Sequence, residues 1–162
     1  TEFPKIESIA VTQSQDFSDN TFIIINVVGG KGPFLYQINN DGFQTSNTFS
    51  NLTAGIYEIE VTDAISCSTK KTIVTLIHFP KYFTPNNDGY NDTWTIDNLD
   101  EKATIRVFDR YGKFMVELNA KNQNWDGTFS GTNLPADDYW FTLTYFQNGI
   151  LKEYKNHFSL KR

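Results

Sequence analysis

An all-β chain of two small consecutive domains is what the sequence predicts, and three observations carry that prediction. Aromatic residues make up 15% of the 162 positions, eight Tyr and fourteen Phe among them; with frequent Thr, Val and Ile they favour sheets over helix bundles. Apolar residues come in strand-length runs or alternate with polar ones. Turn-forming residues interrupt these runs at intervals of roughly ten residues, the rhythm of a sandwich. The length suits one large or two small domains, each with a modest core.

The first segment runs from Ile6 to Ile77. Ile6 to Val11 is weakly patterned and predicts an edge strand, whereas Thr21 to Val28 is a continuous apolar run ending at Gly29-Gly30, as a core strand of a sandwich would be. Gly32 to Ile38 predicts a third strand, followed by Asn39-Asn40-Asp41-Gly42. There the Asp-Gly pair suits the positive φ angles of a primed turn, so a strand pair is expected around it. From Leu52 to Asp63 the alternation is clean, with Tyr57, Ile59 and Val61 on the inward face and Ile56 outside. Thr69 to Ile77 closes the segment as an immunoglobulin-like sandwich.

His78 to Lys81 holds the boundary, because the sandwich pattern ends at Ile77 and a new apolar run begins with no Gly/Ser-rich linker; the expected domains are 1–77 and 78–162. In the second, strands are predicted over Phe79 to Phe83, Thr93 to Ile96, Ala103 to Asp109, Lys113 to Leu118, Trp140 to Phe146 and Leu151 to Leu160. Turns at Arg110-Tyr111-Gly112, Trp125-Asp126-Gly127 and Asn148-Gly149 separate them, giving a second immunoglobulin-like sandwich of roughly seven strands.

Several function classes are disfavoured. A net charge of −5 with no basic cluster argues against nucleic acid. Cys67 is the only cysteine, which rules out an internal disulfide, a zinc cluster or a redox pair and is read as a small buried hydrophobe. No stretch reads as a transmembrane segment or signal peptide, so an exported protein would need residues ahead of Thr1. The two histidines, His78 and His157, have no nucleophile-elbow serine near them, no phosphate loop follows a strand, and no enzyme is expected.

The stretch Phe83-Thr84-Pro85-Asn86-Asn87-Asp88-Gly89-Tyr90-Asn91-Asp92-Thr93-Trp94 must turn tightly, since proline, glycine and several short polar side chains that bond nearby amides fall together. Thr84, Pro85, Asn86, Asn87, Asp88, Gly89, Asn91 and Asp92 are its candidate recognition residues. Asn86, Asp88 and Asp92 offer oxygen ligands for calcium, but Thr84 and Thr95 stand where a calcium loop wants acids. The alternatives are calcium and a metal-free loop cross-linked by its own side chains. Trp125 before Asp126-Gly127 is either a core anchor stapling a loop or part of an aromatic docking patch. Tyr139 and Trp140 take opposite faces of one strand, so one ring lies near the surface. Asp137 and Asp138 point apart, which suits turn capping better than acid–base work. In the final strand Phe158 and Leu160 face the core, while Lys161 and Arg162 are either a solvated end or a charged contact with a partner.

Two resemblances add to this. Gly30-Lys31-Gly32-Pro33-Phe34-Leu35-Tyr36, Leu52-Thr53-Ala54-Gly55-Ile56-Tyr57, Val61-Thr62-Asp63-Ala64 and Cys67 resemble the SprB-like repeat of large surface adhesins in gliding bacteria. Phe83 to Asp92, Ile105 to Gly112, Trp125 to Gly131, Leu134 to Trp140 and Phe158 to Arg162 occur in an order similar to the gliding-motility-associated C-terminal domain, the type B sorting domain of the type IX secretion system. Asn87 departs from it, standing where glycine is more usual; asparagine also tolerates a left-handed backbone. The resemblance implies passage through the periplasm to the cell surface. The partners it implies are the type IX translocon or its shuttle and a PorP/SprF-like outer-membrane barrel. It gives Phe158, Leu160, Lys161 and Arg162 the role of a C-terminal signal, with no cofactor unless calcium binds. The other function class is an adhesive or glycan-binding sandwich, which would depend on loops and exposed aromatics instead.

Overall fold

The computed structural model describes residues 4–65 and 68–162; Cys67 lies outside the described residues. The chain divides into two compact units, Thr1–His78 and Phe79–Arg162. Both are immunoglobulin-like β-sandwiches, and no described residue is helical.

The first unit contains β1 (Ile6–Gln13), β2 (Phe22–Gly29), β3 (Phe34–Ile38), β4 (Thr48–Ser50), β5 (Gly55–Asp63) and β6 (Thr69–Leu76). They form two antiparallel sheets, β1-β2-β4 and β3-β5-β6, so β1 is an edge strand and β2 a central one. Period-two alternation sets the core. Ile23 and Ile25 from β2 and Ile59 and Val61 from β5 are fully buried, while Ile56 and Ile73 face out. Each such buried aliphatic contributes about 1.5–3 kcal/mol.

The hairpin expected at Asp41-Gly42 is displaced. Positive φ angles fall on Asn39 (49°) and Asn40 (61°), and the Asp41 amide donates to Ile38 O at 2.9 Å. The two asparagines supply the primed turn because a short polar side chain tolerates the left-handed region. After it the chain makes one bridge, Tyr36 to Gln44, and then crosses to the other sheet as β4.

The second unit contains β7 (Tyr82–Phe83), β8 (Thr104–Phe108), β9 (Phe114–Leu118), β10 (Thr128–Phe129), β11 (Thr132–Asn133), β12 (Asp137–Gln147) and β13 (Ile150–Leu160). Its main sheet has the order β7-β13-β12-β8-β9, antiparallel except that β7 runs parallel to β13. The facing layer is slight: the β10–β11 ribbon and one antiparallel bridge between Trp94 and Trp125. The strand expected at Thr93 to Ile96 is therefore reduced to that bridge, whose two backbone bonds measure 2.8 and 3.0 Å.

Aromatic packing replaces missing ladder bonds in this layer. Trp94, fully buried, lies parallel to Phe158 with centroids 3.9 Å apart, and Trp125, Tyr139, Phe141 and Phe83 surround the same phenyl ring within 6.3 Å. Offset and edge-on ring pairs each add about 0.5–1.5 kcal/mol beyond area burial. Phe158 is thus the centre of the second core, beside β12, the middle strand of the sheet, which buries Tyr139, Phe141, Leu143 and Tyr145.

The two units repeat one local device. Tyr57 donates its hydroxyl to Thr53 O at 2.7 Å, and Tyr139 donates to Pro135 O at 3.0 Å, each four residues back. Leu52-x-Ala54-x-x-Tyr57 and Leu134-x-Ala136-x-x-Tyr139 share that spacing. Such a tyrosine corner fixes the entry to a central strand of immunoglobulin-like sandwiches.

Candidate functional site

The loop after β7 is held by carboxylates. Asp92 accepts backbone amides of Asn86 (3.1 Å) and Asn87 (2.7 Å) on Oδ1 and of Gly89 (2.7 Å) on Oδ2. Asp88 accepts the Tyr90 amide on Oδ1 and the Asn86 side-chain amide on Oδ2, and its own amide donates to Asn86 Oδ1. The Thr84 amide donates to Asn91 O at 2.7 Å, closing the neck. Left-handed backbone at Asn87 (63°), Gly89 (85°) and Asn91 (52°) turns successive N–H groups toward the carboxylates. Asn87 therefore does in this loop what a glycine would.

Both oxygens of Asp92, both of Asp88 and the amide oxygen of Asn86 receive N–H donors, so the loop is cross-linked by its own side chains.

Three separated stretches meet at the last residue. Arg162 donates from Nε to Leu134 O (2.8 Å), from Nη1 to Pro85 O (3.3 Å) and from Nη2 to Gly127 O (3.3 Å). The sequence left Lys161 and Arg162 together as a solvated end or a partner contact; the structure separates them. Arg162 has the same parity as Phe158 and Leu160, and its exposed guanidinium turns to the loop carbonyls at the end of the sheet. Lys161 takes the other face, its ammonium 4.4 Å from the centre of the exposed Tyr82 ring, while its amide donates to Phe83 O.

The Trp125-Asp126-Gly127 turn completes the cluster. Trp125 is buried and donates Nε1 to Thr128 O at 2.9 Å, and Asp126 Oδ1 accepts both the amide and the hydroxyl of Thr128. It is a core anchor, so the docking alternative does not apply to its ring. Gly127 has φ of +77°, and a Cβ there would stand 2.6 Å from Leu160 Cδ1 and 3.2 Å from Phe83 Cζ. Only glycine lets this turn press against the last strand.

Tyr139 and Trp140 divide between faces. Tyr139 is buried, and burial, followed by the nearby charges of Asp137 and Asp109, raises its hydroxyl pKa above the usual value. Trp140 is 43% exposed, lies 5.7 Å from His157 and pairs in register with Phe108, which in turn meets the exposed Phe114 at 6.0 Å. His157, Trp140, Phe108 and Phe114 make a row across four strands on the outer face, which the sequence did not reveal because Phe108 and Phe114 are brought level only by a bulge between Val107 and Phe108. Asp137 pairs with Arg110 at 3.2 Å and Asp138 accepts the Ser159 hydroxyl, so the adjacent carboxylates do point apart.

A family model described as the CHU_C Type IX secretion signal domain matches residues 77–160, just over half of the chain. No curated protein matches it. Among solved structures 11 chains match. One of them, described as a biofilm-associated protein BSP domain, is 13% identical at a TM-score of 0.31, the alignment covering 94% of this chain and 29% of that one.

Proposed function

Since the chain belongs to the CHU_C type IX secretion signal domain family through residues 77–160, which makes its second unit an export signal of a secreted protein, we propose that the type IX machinery reads this unit as a folded surface. The signal directs export to the cell surface or outer membrane. In the finer reading, the domain passes from the periplasm through the translocon with its shuttle. A PorP/SprF-like outer-membrane barrel then receives it. Residues 1–77 serve as an SprB-like spacer sandwich and residues 78–162 as the sorting domain, with no catalysis, no metal and no nucleic-acid partner.

What supports a folded rather than a linear signal is the position of the last residues. β13 lies between β7 and β12, Phe158 is at the centre of the aromatic core, and Arg162 holds the loop and turn carbonyls. A reader that pulled these residues out as a tail would have to disrupt the core. A reader that docks on the assembled loop, turn and strand end would sense whether folding is complete.

The test is delivery of a periplasmic reporter in a type IX-secreting cell, fused to the full chain, to residues 1–78, or to residues 79–162. Surface display with the full chain and with 79–162, and retention with 1–78, is expected. Display driven by 1–78 alone would reject the reading. So would equal display of the wild type and of a Phe158→Ser chain shown by circular dichroism to have an unfolded second unit.

A further inference from the structure

We infer that Asn148 is a site of spontaneous covalent modification: its side chain closes on the backbone nitrogen of Gly149, and the ageing chain comes to carry aspartate or isoaspartate there. Asn148-Gly149 is the single Asn-Gly pair in the sequence. It forms the two-residue turn between β12 and β13, with Gln147 paired to Ile150 across it. Both turn residues are left-handed, at φ of 52° and 75°, and both are exposed. The pair that suits a primed turn thus sets a carboxamide next to an amide nitrogen whose own residue has no side chain to shield it.

The reaction needs water and no other partner. The Gly149 nitrogen gives its proton to hydroxide and attacks Cγ of Asn148. A C–N bond forms, the Cγ–Nδ2 bond breaks, and the Asn148 amide nitrogen leaves as ammonia after taking a proton from water. Water then opens the resulting succinimide. Opening at the side-chain carbonyl gives aspartate; opening at the main-chain carbonyl gives isoaspartate, in which the backbone runs through the side chain. The net change is asparagine plus water to an acid plus ammonia, with nothing oxidised or reduced.

Three features single out Asn148 among the asparagines. Neither its side chain nor the Gly149 amide makes a hydrogen bond among the described residues, whereas Asn39, Asn47, Asn86, Asn119, Asn122 and Asn156 hold theirs in bonds. Every other asparagine is followed by a residue with a Cβ, which crowds the attacking nitrogen. A Cβ built on Gly149 would meet nothing within 4 Å, so no neighbour packs on the tip to hold it in one conformation. Exposed tips of this kind open at little cost in free energy, and opening lets the nitrogen reach Cγ.

The two products differ in what they do to the hairpin. Aspartate tolerates the left-handed region as asparagine does and keeps the turn. Isoaspartate lengthens the backbone of a turn whose length sets the hairpin register, so the pairs nearest the tip, Gln147 with Ile150 and Phe146 with Leu151, loosen first. Either product adds a negative charge to a chain whose net charge is −5. This assignment is independent of the export reading.

The test is to store the folded full chain at mildly acid and mildly alkaline pH and follow it peptide by peptide by mass spectrometry, beside Asn148→Gln and Gly149→Ala chains and the wild type in urea. The mass gain of an amide turned to an acid is expected first in the peptide holding Asn148, faster at the alkaline pH and resolved into aspartate and isoaspartate forms. It should vanish from that peptide in Asn148→Gln and slow severalfold in Gly149→Ala. An Asn148 that stays intact in the folded chain would overturn the inference, and conversion in urea alone would show that the turn protects it. Conversion that begins at another asparagine, or at a rate indifferent to pH, would overturn it as well.

Discussion

The guanidinium of Arg162 donates to the carbonyl of Pro85 at 3.3 Å, joining residues 77 apart in sequence. The same cation holds Gly127 and Leu134, so one side chain closes three loops at the end of the sheet. Charge-assisted bonds are stronger than neutral ones, but this group is largely exposed and screened. Arg162→Ala is expected to cost about 1–2 kcal/mol of second-unit stability, and Lys161→Ala, which loses only an exposed ring contact, under about 1 kcal/mol. Denaturant midpoints for the two variants would check this; equal midpoints would mean the three bonds contribute nothing.

Asp92 should matter more to its loop than Asp88, and Asp88 more than Asp41. Asp92 receives three backbone amides, Asp88 receives one backbone and one side-chain amide, and Asp41 closes its turn with a main-chain N–H that alanine keeps. Alanine substitution is expected to cost about 2, 1 and under 0.5 kcal/mol respectively. A chelator should leave the wild-type melting temperature unchanged, because the loop is held by bonds among its own side chains and amides. A drop on chelation would show that a cation reshapes the loop.

How much of this was legible in the sequence depends on whether the determinant is local. Period-two alternation gave the inward faces of β5 and β13, and turn chemistry located the loop. The same alternation, continued two residues past Leu160, would have put Arg162 on the core side. A lone arginine after the last apolar residue reads equally as solvated, which hides that placement. Asp92 as the hub could not be read, since choosing it over Asp88 depends on which way the left-handed residues Asn87 and Asn91 aim their neighbours' amides. The primed turn at Asn39-Asn40 was misplaced because Asp-Gly is the stronger dipeptide signal, and pairing of Asp41 with Ile38 overrode it. The thin second layer was equally hidden: Trp94 was read as part of a strand, and its stacking on Phe158 is a tertiary fact.

Gly127→Ala should be among the most damaging small substitutions in the second unit. The added methyl would meet Leu160 at 2.6 Å and Phe83 at 3.2 Å, in a backbone conformation of positive φ that alanine avoids. A loss of about 2–4 kcal/mol is expected. Gly131→Ala, at the same φ of +77° with nothing within 4 Å, carries the backbone strain alone and should cost about 1 kcal/mol. If the two lost equal stability, the contact with the last strand would be irrelevant.

Tyr139 links stability to alkaline pH. Burial raises its pKa above the unfolded value near 10, so the folded state holds the phenol proton more tightly. Its contribution is fully present below that unfolded value and is lost as pH rises through it toward the folded one. Tyr139→Phe should cost about 1 kcal/mol at neutral pH through the lost bond to Pro135 O, and should flatten the fall in second-unit stability above pH of about 10. Parallel alkaline profiles for the two proteins would exclude Tyr139 as the source.

Trp125 and Trp140 should separate folding from recognition. Trp125 is 3% exposed and touches Phe83, Tyr139 and Phe158, so Trp125→Ala is expected to cost about 3–5 kcal/mol and to unfold the second unit, abolishing export indirectly. Trp140 is 43% exposed on the outer face, where its ring leans on His157. Trp140→Ser should change stability by under about 1 kcal/mol. If the aromatic row from His157 to Phe114 is part of the surface that the secretion machinery reads, surface delivery of a reporter fused to the full chain should nevertheless fall severalfold, with the reporter retained in the periplasm. Paired measurements of melting temperature and surface display decide it. Normal display of a folded Trp140→Ser chain would remove the sheet face from recognition and leave the loop, turn and Arg162 cluster as the surface to test next.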